Sequence, residues 1–145
     1  MNPGGTGYTV GEYSFRNLIL WQKAQALTLE VVRLTAAIPR GAAADVMVRQ
    51  ILRSASSIAA NIAEGHGRFT PRAHLNHLSI AKGSACETDS WLDIMAKSGL
   101  IEGEAEQRLH QTCMELIAML TAKIRDLEKL PQPRQLREEG PQWET

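Results

Sequence analysis

The chain of 145 residues has few aromatic residues, only two cysteines, no long apolar run and no net charge. Aromatic side chains make up 5% of it, which gives weak support to base stacking along a single-stranded nucleic acid. No apolar run approaches the roughly 18 residues of a membrane helix, so we expect no contact with a membrane. The 16 cationic and 16 anionic residues argue against a general nucleic-acid-binding protein.

The N-terminus and the cysteines favour the cytoplasm. The first residues lack both the basic start and the apolar core of a signal peptide. Cys86 and Cys113 fall inside predicted helices, and free thiols in a core explain them better than a disulfide or a metal site does. We therefore expect a cytoplasmic protein.

Apolar residues recur in steps of three and four along four segments, a spacing that predicts four helices. Thr70 and Pro71 are typical of a helix start, and Gly99 is typical of a helix end. The predicted helices span about 15–38, 44–64, 71–98 and 102–130. Their predicted core faces are Leu20, Ala24, Leu27, Val31, Leu34 and Ile38; Val48, Ile51, Ala55, Ile58 and Ile62; Leu75, Leu78, Lys82, Ala85, Leu92 and Met95; and Leu109, Cys113, Leu116, Leu120, Ile124 and Leu127.

Helices of this length joined by short turns predict an all-α fold, an antiparallel up-down-up-down four-helix bundle. We expect residues 1–14 to be a disordered lead-in, residues 15–130 to be the bundle, and residues 131–145 to be a flexible polar tail.

The second helix ends in a segment of small residues that two polar residues interrupt. Asn61 and Glu64 stand on this surface, where a polar group needs a partner, and Gly65 is expected to end the helix. We expect Asn61, Glu64 and Glu87 to form a buried or semi-buried polar network between the second and third helices. Arg53 or Arg68 would neutralise its carboxylates, and breaking such a pair would cost roughly 3–5 kcal/mol if it is buried.

Four arginines are candidate nucleic-acid contacts. Arg49 and Arg53 share a face of the second helix. Arg68 and Arg72 follow in the loop and in the first turn of the third helix, and a hairpin of these two helices could bring all four to one basic end. In the alternative interpretation these arginines pair with acidic residues in intra- or intersubunit bridges. Both interpretations stay open from the sequence.

The sequence offers little support for catalysis, a metal or a cofactor. A dimetal bundle needs Glu-x-x-His pairs, and that spacing does not occur. Glu106 and His110 are four residues apart, and His66, His74 and His77 fit a solvated, sometimes cationic surface. Gly65 and Gly67 follow a helix, whereas a phosphate-binding loop precedes one. We therefore expect a protein that is not an enzyme and that holds no cofactor.

Several of these segments together resemble a known family, over roughly residues 15–130. They are Leu20-Trp-Gln-Lys-Ala24, Val32-Arg-Leu-Thr35, Ser57-Ile-Ala-Ala-Asn-Ile-Ala-Glu-Gly65 with Arg68, and Ala81-Lys-Gly-Ser84 with Glu87. They are similar to small bacterial four-helix bundle proteins whose first members were found encoded in intervening sequences of 23S ribosomal RNA. The resemblance groups Asn61, Glu64, Gly65, Arg68 and Glu87 as characteristic polar positions of the family.

The resemblance implies an antiparallel four-helix bundle that assembles into a homopentamer, and it brings no catalytic residue. A structurally similar set of proteins serves diversity-generating retroelements as accessory factors, binding a reverse transcriptase and nucleic acid. We therefore expect a non-enzymatic homopentameric scaffold or adaptor. The alternative is a nucleic-acid-binding accessory factor of a retroelement reverse transcriptase, or an rRNA-associated protein, with RNA or DNA as partner.

Overall fold

A computed structural model describes residues 14–131, which contain four α-helices and no strand. A 3-10 turn at Phe15–Asn17 comes before the first helix. The helices are α1 (Ile19–Ala36), α2 (Ala42–His66), α3 (Pro71–Lys97) and α4 (Gly103–Glu128). The prediction of an all-α protein is confirmed for this part of the chain. Apart from Ser14 and Pro131, the expected lead-in and tail lie outside the described residues.

Local chemistry explains where α3 begins and ends. The Thr70 hydroxyl accepts a hydrogen bond from the Ala73 backbone N–H at 3.1 Å, and Pro71 takes the first helical position. After Lys97 and the C-cap Ser98 the chain turns at Gly99, which has φ of +79°. That conformation is costly for a residue with a side chain, so glycine suits it. These predicted signals at both ends of α3 are confirmed.

The predicted end of α2 at Gly65 is wrong. The helix continues through His66, and Gly67 is its C-cap, with a backbone N–H directed at the carbonyls of Ala63 and Glu64. Gly65 itself is buried inside the last turn. Its role is therefore to allow close packing, and the structure shows which atoms approach it.

The core consists of the apolar faces that the heptad spacing predicts. Residues such as Leu27, Ile58 and Leu116 have no exposed surface, and the buried residues of all four helices form one cluster. The spacing is misleading at Val48 of α2, which is half-buried and outside this cluster, and on α3. There Lys82 is half-buried rather than internal, while Ala81 and Thr88 are fully buried. The long lysine side chain reaches the edge of the core instead of filling it.

Polar contacts show how the helices lie against each other. Contacts between α2 and α3 join residue 53 to 87, 57 to 84 and 61 to 77, a falling order that antiparallel helices produce. Between α1 and α4, Lys23 pairs with Glu115 and Glu30 pairs with Arg108. The helices α2 and α3 are therefore antiparallel to each other, and so are α1 and α4.

The two cysteines lie in different environments. Cys113 is buried, and its burial raises the pKa of the thiol to about 12. Cys86 is exposed, which contradicts the expectation that both thiols lie in the core. None of the helices that the structure describes is both long enough and apolar enough to cross a bilayer.

Candidate functional site

A row of polar side chains runs along the contact between α2 and α3. Starting mid-helix, the buried Thr88 hydroxyl lies 2.9 Å from that of Ser54, and Ser84 donates to the Ser57 hydroxyl at 3.0 Å. Asn61 then donates to that same Ser57 oxygen at 3.0 Å. We call this row the α2–α3 polar seam: Ser54, Ser57, Asn61, His77, Ser84 and Thr88. Its members satisfy one another, which a buried polar group requires.

The seam ends in a group of four side chains near the α2–α3 turn, which we call the hairpin cluster: Asn61, Glu64, Arg68 and His77. His77 Nδ1 lies 3.1 Å from the Asn61 Oδ1 and 3.3 Å from a Glu64 carboxylate oxygen. On the other side of the ring, Arg68 donates through Nε to His77 Nε2 at 3.3 Å. Because Nε2 accepts the Arg68 N–H, the ring N–H that faces Asn61 and Glu64 is the one on Nδ1.

Gly65 makes this cluster possible. A Cβ atom at Gly65 would lie 2.9 Å from the His74 ring, 3.0 Å from the His77 Cβ and 3.3 Å from the His74 carbonyl oxygen. The absence of a side chain therefore lets the end of α2 approach the start of α3 and places His77 beside Asn61. Gly65 packs against α3, and Asn61 and Glu64 each lie within about 3.3 Å of His77 Nδ1.

The expected network of Asn61, Glu64 and Glu87 exists as two separate parts. Glu64 belongs to the hairpin cluster, with an Arg68 nitrogen 4.0 Å from its carboxylate, whereas Glu87 pairs with Arg53 further along. The carboxyl side chains of Glu64 and Glu87 are 60% and 41% exposed. Water screens such pairs, so the cost of 3–5 kcal/mol expected for a buried pair does not apply to them.

The four candidate arginines do not lie at one end of the hairpin. Arg53 precedes the last residue of α2 by thirteen positions, roughly 20 Å of helix, and Arg49 lies a further turn away. Arg53 also pairs with Glu87, which is the bridging role that the alternative interpretation gave it. Arg68 and Arg72 remain close in sequence at the hairpin, and both are exposed.

The hairpin turn carries an exposed aromatic side chain. Phe69 is fully exposed and stands between Arg68 and Thr70, with the exposed Arg72 in the first turn of α3. The exposed ring and the two exposed arginines beside it make this tip a candidate contact surface.

His74 is half-buried beside the hairpin, with basic side chains nearby. Burial and the nearby Lys123, His66 and His77 lower its pKa. It lines a pocket of about 410 Å³ whose walls include Leu18, Ile62, Leu78 and Lys123. The prediction that His66, His74 and His77 are all solvated is therefore wrong for His74 and His77, which are half-buried against Gly65.

A second polar group lies between α3 and α4. His110 Nδ1 lies 2.7 Å from an Asp89 carboxylate oxygen, and this hydrogen bond raises the pKa of His110. Glu106, one turn earlier on α4, completes a set of three donor groups whose ligand atoms lie within 4.8 Å of one another. The sequence pairs Glu106 with His110 by spacing but cannot bring in Asp89, which belongs to another helix.

His77 is the main residue of the cluster that the sequence did not identify. Its spacing of three from His74 suggested a surface pair, and no local pattern relates His77 to Asn61, sixteen residues earlier. A usable signal was Gly65, because a small residue in a helix of small residues marks a close approach. Whatever lies opposite such a glycine is a candidate member of the site.

Comparisons with known proteins agree with this fold. A family model described as 23S rRNA-intervening sequence protein matches residues 16–122. The chain is also similar to the crystal structure of a protein with unknown function, from the S23 ribosomal protein family, from Bacteroides thetaiotaomicron. The two chains are 27% identical with a TM-score of 0.68, and the match covers 74% of this chain and 99% of the other. No curated protein matches the chain.

Proposed function

The chain belongs to the 23S rRNA-intervening sequence protein family, and we propose that it is a non-enzymatic bundle that assembles with copies of itself. The resemblance seen in the sequence suggests five copies, so the proposed assembly is a homopentameric scaffold or adaptor in the cytoplasm. Neither the family description nor the similar crystal structure assigns a catalytic activity. The hydroxyl and imidazole groups of the α2–α3 polar seam support a structural role, because they are engaged with one another.

One observation carries this proposal, an exposed apolar strip on α1. Leu29 and Val32 are 45% and 47% exposed, and Ala36 continues the same face after steps of three and four. The opposite face of α1 is buried in the core through Ala24, Leu27 and Val31 and is not available to a partner. A second heptad-spaced strip that faces water is typical of a helix that packs against another subunit.

We also propose the up-down-up-down order for the four helices. Along the contacts between α2 and α3, residue numbers rise on one helix and fall on the other, and the same holds between α1 and α4. Asp89 in the last third of α3 meets His110 in the first third of α4, which suits the same order. In such an order α1 lies between α2 and α4, so its remaining face is outward and free to contact another copy.

The test replaces the strip with charge. Leu29→Lys and Val32→Lys should each lower the mass of the assembly measured by light scattering, because a lysine in an apolar helix contact is costly to desolvate. Ile80→Lys on α3, where the native side chain is 51% exposed, is the matched control and should leave the mass unchanged. An assembly that persists in both α1 variants, or that breaks only in Ile80→Lys, contradicts the proposed contact.

A second candidate function is nucleic-acid binding by the hairpin tip, and the exposure of Phe69 favours it. Arg68 and Arg72 could contact phosphates while the Phe69 ring stacks on an unpaired base. Five copies of one such weak site would bind through avidity. This is the role of an accessory factor of a retroelement reverse transcriptase or of an rRNA-associated protein.

The salt dependence of RNA binding separates this candidate from a scaffold that binds protein alone. The Arg68→Ala/Arg72→Ala double variant should weaken binding to a structured RNA with a single-stranded loop and flatten its salt dependence. An Arg33→Ala/Lys97→Ala variant removes the same charge from the last turns of α1 and α3, away from the tip. Equal losses in both variants would show general charge attraction and would contradict a site at the tip.

A further inference from the structure

Asp89, Glu106 and His110 offer a set of donors that does not depend on assembly or nucleic-acid binding. Each contributes one ligand atom, and all three atoms lie within 4.8 Å of one another. The side chains of Asp89 and His110 are 25% and 47% exposed, so an ion could reach them from water. Both lie about two turns inside long helices, which hold their backbones in place.

Helix α4 supplies two of these donors, and helix α3 supplies the third. Glu106 and His110 are four residues apart on α4, so their side chains lie on the same face, one turn from each other. Asp89 on α3 closes the third side, already within hydrogen-bond distance of the His110 ring. Tetrahedral metal–ligand bonds of about 2.0–2.2 Å place the donors about 3.3–3.6 Å apart. On binding, the Asp89 and His110 donors would therefore move apart from 2.7 Å, and any pair near the 4.8 Å limit would move closer.

The chemistry of the set selects a class of ion. Two carboxylates and one neutral imidazole balance the charge of a divalent cation, which would take the place of the proton between Asp89 and His110. A set with one nitrogen and two oxygen donors suits zinc and its first-row neighbours, whereas Mg²⁺ prefers oxygen ligands and several waters. Three protein ligands at a half-exposed position leave coordination sites for water or for a group from a partner.

We propose that Asp89, Glu106 and His110 form a binding site for one divalent transition-metal ion of the zinc class, which joins α3 to α4. The sequence alone favours no metal site, because Glu106 and His110 make only a pair. The fold supplies the third ligand. Bound metal should also raise the midpoint of thermal unfolding, because it binds the folded chain and crosslinks two of its helices.

Calorimetric titration of the full chain with ZnCl₂ tests the site. We expect one zinc ion per chain, and a loss of affinity of more than about tenfold in both Asp89→Asn and His110→Ala. Asp89→Asn keeps the size of the side chain, so it separates loss of a ligand from loss of the fold. A visible absorption band on addition of Co²⁺, absent in the same two variants, is a second readout of coordination.

Two controls make the proposal falsifiable. His74 lies near His66 and His77, the other place where histidines could bind zinc. His74→Ala should leave zinc binding unchanged. MgCl₂ should bind much more weakly than ZnCl₂. Zinc binding that survives in both Asp89→Asn and His110→Ala, that is lost in His74→Ala, or that Mg²⁺ reproduces would overturn the assignment.

Discussion

Gly65 shows at the scale of one residue what the sequence could and could not predict. Its place after Asn61 and Glu64 marked it as important, but a glycine near a helix end is most simply interpreted as a stop. The structure puts it inside the helix, against His74 and His77. Its neighbours decide its role, and they come from another helix that the local pattern does not specify.

Gly65→Ala should destabilise the protein by about 1–3 kcal/mol, because the new Cβ would overlap the His74 ring and the His77 Cβ. Urea unfolding measures the change. Gly83→Ala is the control, since a Cβ there meets nothing within 4 Å in the middle of α3. That substitution should stabilise by about 0.5–1 kcal/mol through helix propensity. A neutral Gly65→Ala would show that α2 and α3 do not need this close approach.

Glu64→Gln should change the free energy of unfolding by less than about 1 kcal/mol, because the carboxylate is largely exposed and its pairs are screened. The glutamine can still accept a hydrogen bond from His77. Chemical denaturation of both proteins in the same buffer measures the difference. A loss of several kcal/mol would mean that the carboxylate is buried in solution, for example under a second copy.

His74 gives the stability a pH dependence of known sign. Its pKa is lowered in the fold from the ordinary histidine value of 6.5, mainly by burial, so near and below that value the unfolded chain binds the proton more readily. Stability should therefore fall as the pH drops from about 7 to about 5, and the fall should be smaller in His74→Gln. Thermal midpoints of the two proteins over this range test it; parallel curves would contradict the assignment.

At the scale of the helices, most of the fold follows from the sequence. Heptad spacing identified four helices and their buried faces, and Thr70, Pro71 and Gly99 fixed both ends of α3. The contacts between helices did not follow, because the seam depends on register. Whether Thr88 meets Ser54 or a residue one turn away is decided by packing between α2 and α3. Local spacing along one helix does not specify that packing.

The buried hydroxyl pair Ser54 and Thr88 is suited to a double-mutant cycle. Thr88→Val should cost about 1–2 kcal/mol, because it leaves Ser54 with only its backbone partner, the Ile51 carbonyl. Adding Ser54→Ala should cost less than the sum of the two single changes, because no polar group then remains without its partner. Strict additivity in urea unfolding would show that the two hydroxyls do not interact.

At the scale of the whole molecule, the charge is neutral in sum but unevenly distributed. Residues 39–82 carry six cations and two anions, a balance of +4, and residues 83–130 carry five cations and nine anions, a balance of −4. The fold places these stretches side by side, since α2 packs along α3, and Arg53 pairs with Glu87 across them. Part of the basic surface expected from the sequence is therefore neutralised internally, by the pairs Arg53–Glu87 and Arg40–Asp45.

The proposed self-assembly concerns the exposed face of α1. The exposed strip of Leu29, Val32 and Ala36 is the surface that we propose for contact with another copy, and the family resemblance suggests the number of copies. Helix spacing alone could not predict it, because the same apolar step pattern serves a core and an interface equally well. Only the burial of one face and the exposure of the other distinguishes the two uses.

The mass of the purified full chain in solution, measured by light scattering over a range of dilutions, tests self-assembly most directly. The chain has a mass of 16.0 kDa, so a homopentamer predicts a species of about 80 kDa that persists on dilution. A species that stays at the mass of one chain at every concentration would contradict self-assembly and leave the strip on α1 without its proposed partner.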